Sequence, residues 1–114
     1  MGPAYNPLAP LAHRNSVTAV DASDPADTTG AVDCEGFQEC RFELTLAGVD
    51  LTSLEVAALF WNARQSKWFT GGSRVFTSTG QHALVATVRG AVVFLKVVAF
   101  TGTSFTLDVD YVLS

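Results

Sequence analysis

From Phe37 to the C-terminus, apolar and polar side chains keep exchanging places at every second residue, and glycine or polar turns cut the stretch into short runs. A period of two is what a half-buried β-strand demands, because successive side chains leave opposite faces of the pleat. Phe37–Leu46 sets Cys40, Phe42, Leu44 and Leu46 on one face and Arg41, Glu43 and Thr45 on the other. Gln81–Val88 divides His82, Leu84, Ala86 and Val88 from Ala83, Val85 and Thr87, and Phe105–Leu113 divides Phe105, Leu107, Val109, Tyr111 and Leu113 from Thr106, Asp108 and Asp110. Ala91–Phe100 is apolar on both faces except at Lys96, the pattern of a central strand. Leu54–Asn62, Trp68–Thr70 and Arg74–Thr79 complete the series, with turns at Ala63–Lys67 and Gly71-Gly72-Ser73, and Val17–Val20 is a short candidate near the start. Helix competes only at Leu54–Asn62, which is short and has no C-terminal glycine, so a strand is expected there too.

Composition supports the same reading. Fourteen Val, twelve Thr and twelve aromatics make up a third of the 114 residues, and these types fit a pleated, half-buried surface. Closely spaced strands with glycine turns and no convincing helix predict an all-β chain, an antiparallel β-sandwich of jelly-roll or Ig-like type. The length fits one domain, residues 16–114, preceded by an extended arm at residues 1–15. Prolines 3, 7 and 10 bar that arm from helix and from a central strand, while Tyr5, Leu8 and Leu11 gain by burial and read as interface anchors. Such an arm makes better sense lying on a neighbour than alone.

Charge excludes some roles and suggests others. Seven Lys and Arg against eleven Asp and Glu give a net charge of −4, the wrong sign for a nucleic-acid grip. No run reaches the ~18 apolar residues of a membrane helix, and Met1-Gly2-Pro3-Ala4-Tyr5 lacks the pattern of a signal peptide, so a soluble, unprocessed chain is expected. The charges divide by halves, net −7 over residues 1–57 and net +3 over residues 58–114. If the halves occupy different surfaces, copies attract one another head to tail; otherwise the acids are simply gathered in a solvated loop. Only 16% of residues are charged and 48% are hydrophobic, which suggests more apolar surface than one core can hide and a chain that works in an assembly.

Few residues offer chemistry. Cys34 and Cys40 flank a turn that would bring them together as free thiols or as a disulfide; a zinc site would need His13 and His82 as well, which sit at no helpful spacing. Asp21, Asp24, Asp27, Asp33 and Glu35 offer oxygens to calcium, but not at EF-hand spacing, and an acidic turn is usually only solvated. Asp108 and Asp110 share an outward face without a third polar partner. There is no G-x-S-x-G, H-E-x-x-H, P-loop or dinucleotide fingerprint, so neither an enzyme nor a metal or other cofactor is expected. Trp61, Asn62, Arg64, Gln65 and Trp68 gather around one turn, either as plugs of a sandwich end, as anchors of a protein interface, or as a sugar-binding surface.

Over residues 34–114, LEVAALFWNARQSKWF, a Gly-rich turn and GAVVFLKVVAFTGTSFTLDVDYVLS resemble the small β-sandwich proteins encoded among bacteriophage head and tail genes, of the capsid decoration or cement type. The resemblance implies a virion protein with no catalytic residues, often a homotrimer, that binds the major capsid protein on the outer capsid surface and stabilises the shell. Tyr5, Leu8 and Leu11 would then enter apolar grooves, and the stretch Asp21–Glu35 would meet basic capsid side chains. Such a protein is made in the host cytoplasm. The cysteine pair departs from many decoration proteins and leaves other virion roles open. The alternatives are a carbohydrate-binding or host-adsorption module built on Trp61 and Trp68, and a head–tail connector or tail component.

Overall fold

The computed structural model describes residues 24–114 throughout and, as short paired strands, Ala9–Pro10 and Ser16–Val17. The strands, in chain order, are β1 (Ala9–Pro10), β2 (Ser16–Val17), β3 (Val32–Asp33), β4 (Glu39–Val49), β5 (Ser53–Asn62), β6 (Lys67–Phe76), β7 (Gly80–Thr87), β8 (Val92–Thr101) and β9 (Ser104–Leu113), with no helix among the described residues. All pairings are antiparallel and form two sheets, one ordered β1-β9-β4-β7 with β2 also on β9, the other β3-β8-β5-β6. The chain is thus the expected all-β antiparallel sandwich.

The alternation seen in sequence becomes the core. Cys40, Phe42, Leu44 and Leu46 of β4 and Phe105, Leu107 and Val109 of β9 face Leu54 and Val56 of β5 and Val93, Leu95 and Val97 of β8 in one cluster. No buried residue among those described is polar or charged, so water exclusion and close packing hold the two sheets together. Leu54–Asn62 is a strand, and β8 lies inside its sheet as its two apolar faces required. The outer side of β8 is dry locally because Phe94 packs against Trp68, their rings 6.1 Å apart.

One expectation is corrected. Gly71-Gly72-Ser73 does not separate two strands; β6 runs unbroken from Lys67 to Phe76. Its pairing with β5 slips at Ala58/Leu59, so the glycines form a bulge within a strand rather than a turn between strands. Gly71 is required there, because a Cβ on it would run into the Phe60 ring.

Candidate interaction surface

Among the described residues one sheet ends at β7 and the other at β6, each strand with one neighbour, and Arg74 and Phe76 of β6 reach Ala83 and His82 of β7, so these two edges lie on the same side of the sandwich. Reciprocal bonds between Glu39 and Ser114, 3.0 Å each way, set the phase of the β4 ladder. In an antiparallel strand the bonding direction alternates, so odd residues of β4 bond to β9 and even ones to β7. Cys40, Phe42, Leu44 and Leu46 therefore hold Ala86, Leu84, His82 and Gly80. It follows that Gln81, Ala83, Val85 and Thr87 turn their N–H and C=O groups to the open edge. Arg74 Nη1, reaching across from β6, donates to the Ala83 carbonyl at 3.2 Å, as this phase requires.

The space between the two edges is closed at one end and open at the other. At the closed end Phe76 stacks on His82 with centroids 4.5 Å apart, and the Arg74 guanidinium sits 5.4 Å from the Phe76 centroid. His82 Nε2 donates to the Ser78 carbonyl at 2.8 Å, so the imidazole is engaged in holding the β6–β7 turn. At the open end a groove of about 370 Å³ is lined by Phe60, Gly71, Gly72, Leu84, Val85 and Ala86. Val85, in this lining, is 55% exposed.

The predicted tryptophan cluster is assembled, but as a clamp. Trp61 and Trp68 face each other across β5 and β6, centroids 5.1 Å apart and edge to face. Trp68 Nε1 donates to the Pro25 carbonyl at 2.9 Å, and Lys96 Nζ holds Asp24 Oδ1 at 2.9 Å, so together they fasten the segment before β3 to the outer face of its sheet. Asn62 Oδ1 accepts from Gln65 N at 3.0 Å within the turn, and Arg64 is exposed. A recess of about 240 Å³ bounded by Asp24, Pro25, Trp61, Ser66, Lys67 and Trp68 remains beside the pair.

Cys34 and Cys40 are free thiols, both fully buried. The turn Cys34–Phe37, closed by Phe37 N to Cys34 O at 2.9 Å with Gly36 at φ 87°, brings them together as the spacing suggested. Their mutual hydrogen bond holds the Cys34 thiol below its ordinary range, and the same bond, with burial, pushes Cys40 far up. The acids of the loop are dispersed. Asp27 Oδ1 accepts from Thr29 N at 2.9 Å, which lowers its carboxyl, and Asp33 Oδ1 accepts from Glu35 N at 3.0 Å. Among the described residues no three His, Cys, Asp or Glu converge on a point that would hold a metal ion. Asp110, paired with Glu43 across β9 and β4, lines a recess of about 460 Å³ that also includes Gln81 and His82, and Asp108 faces Thr45. Tyr5, Leu8, Leu11, His13 and Asp21 lie outside the described residues.

The charge halves do not form two surfaces. Asp24, from the acidic half, pairs with Lys96 and adjoins Lys67, both from the basic half.

Sequence reasoning did not find the groove. The neutral stretch Gly80–Thr87 was its one available signal, a strand with no Lys, Pro or acid to guard an edge.

No protein-family model matches the chain, and no curated protein matches it. Among solved structures, the crystal structure of SPBc2 prophage-derived protein YomS is similar over 100% of this chain and 96% of its own, with a TM-score of 0.58 at 15% sequence identity. What the two share is the fold.

Proposed function

We propose that this protein is a non-enzymatic structural component of a phage particle, a sandwich that binds the major capsid protein on the outer surface of the shell and stabilises it by added buried contact. The observation that carries this reading is the whole-length fold shared with a prophage-derived protein. The site geometry supports it, because what the chain presents is an open sheet edge with an apolar groove, means of attachment rather than of reaction. The low share of charge, 16%, suits a surface destined for contact.

The test is to mix the purified chain with empty shells of the phage whose genome encodes it, sediment them, and image the particles. Density on every capsomer and a raised melting temperature of the shell are expected. A single ring at one vertex would replace this reading with a connector, and no binding to shells would end it. A glycan-array signal lost in Trp61→Ala would favour the adsorption module instead.

A further inference from the structure

We propose that the β7 edge and its groove receive residues 2–8 of a second copy of this chain, added as an antiparallel edge strand with Tyr5 in the groove. This goes beyond the capsid reading and does not need a shell.

Among the described residues only the Arg74 guanidinium, on the Ala83 carbonyl, reaches the edge of the receiving strand. β7 carries no formal charge and no proline, and pairs with β4 without a register break from Glu39↔Thr87 to Leu46↔Gly80. Flat, neutral edges of this kind recruit another strand unless something covers them. Four residues, Gln81, Ala83, Val85 and Thr87, offer backbone groups outward, and their side chains lie on the outer face.

The donor is chosen by parity. Residues 2–8 read Gly-Pro-Ala-Tyr-Asn-Pro-Leu, with Pro3 and Pro7 both at odd positions. A proline has no N–H, so it is tolerated in an edge strand only where that group would face solvent. Gly2, Ala4, Asn6 and Leu8 must therefore be the residues that bond to β7. One antiparallel register uses all four, with Leu8 across from Gln81 and Gly2 across from Thr87. Directly opposed residues point to the same face, so the even residues join Val85 on the outer face while Pro3, Tyr5 and Pro7 turn inward. In that register Tyr5 stands across from Leu84, which lines the groove with Phe60 and Ala86. Arg74 takes only one lone pair of the Ala83 carbonyl, which accepts two bonds.

The donor belongs to another copy for reasons of direction. β1 pairs Ala9 with Tyr111 and β2 pairs Val17 with Phe105, so β1 begins toward the C-terminal end of β9. β7 and β9 both run antiparallel to β4 and so point the same way. An arm turning back onto its own β7 would run parallel to it, and would spend about 19 Å crossing four strand spacings. Continuing outward, eight residues reach about 26 Å. The contact joins unlike surfaces of two copies, the heterologous kind that closes into a ring or runs on as an open filament according to the rotation between them.

The test uses the full chain without capsid. Chains bearing Ala4→Cys are mixed with chains bearing Val85→Cys under mild oxidation; the native cysteines are both 0% exposed and do not compete. Disulfide-linked pairs of one chain of each kind are expected. Sedimentation equilibrium should show self-association weakened about tenfold or more by Tyr5→Ala. Val85→Pro, which removes an N–H facing only the open edge, should weaken it as much while leaving the circular dichroism unchanged. A monomer at every concentration, absence of the mixed disulfide, or a bond formed only within a chain carrying both cysteines would overturn the proposal.

Discussion

The cysteine pair shows how far residue spacing alone carries. Cys34-Glu35-Gly36-Phe37 was readable as a turn that brings Cys40 near, and the structure places both thiols side by side. That both are fully dry was not readable, because it depends on the β4 face being sealed by the second sheet. Dryness has a consequence for pH. Cys40 is raised above its ordinary 9.0, so the stability it contributes is whole below that value and is lost as the pH climbs from there toward the folded value. Cys34, lowered, contributes in the opposite sense below 9.0. Tyr111, raised by burial and the neighbouring thiols, adds to the loss. The urea midpoint should fall as the pH is raised above 9.0, with a single thiolate seen in the ultraviolet before unfolding. A flat midpoint, or two thiolates in the folded protein, would contradict this.

At the scale of elements, alternation was a sound guide wherever one face of a strand is dry. β4, β7 and β9 keep the faces read from their sequences, and β8 is interior as its doubly apolar pattern demanded. β6 was misread because Gly71-Gly72-Ser73 has turn chemistry locally, whereas its partner β5 continues past it and β6 itself absorbs the extra residue, Gly71, as a bulge. The groove was illegible for a related reason. Which strands become edges is settled by long-range pairing, and the neutrality of Gly80–Thr87 does not by itself place β7 last in its sheet. The bulge itself is testable. Gly71→Ala sets a methyl group against the Phe60 ring, and should destabilise the fold by about 1–3 kcal/mol in urea titration. Phe60→Leu in the same chain should return part of that loss. If Gly71→Ala alone is neutral, the ring does not depend on the glycine and the groove floor is looser than its lining suggests.

For the whole molecule the question is what draws copies together. The division of charge between the two halves of the sequence suggested electrical attraction, but the fold interleaves them through Asp24, Lys96 and Lys67. The edge strand proposed as the contact has no formal charge, and its groove is lined by aromatic and aliphatic side chains. Ionic strength separates the two accounts. The screening length falls from about 30 Å at 0.01 M salt to about 3 Å at 1 M, which would suppress a charge-driven contact and leave backbone pairing and apolar burial in place. Across that range the self-association constant should change by less than about threefold, and sulfate should strengthen it by favouring burial. A fall of about a hundredfold would mean that charges outside the groove hold the copies together. Tyr5→Ala and salt should then act independently, whereas a contact centred on Tyr5 loses its affinity to the substitution at every salt concentration.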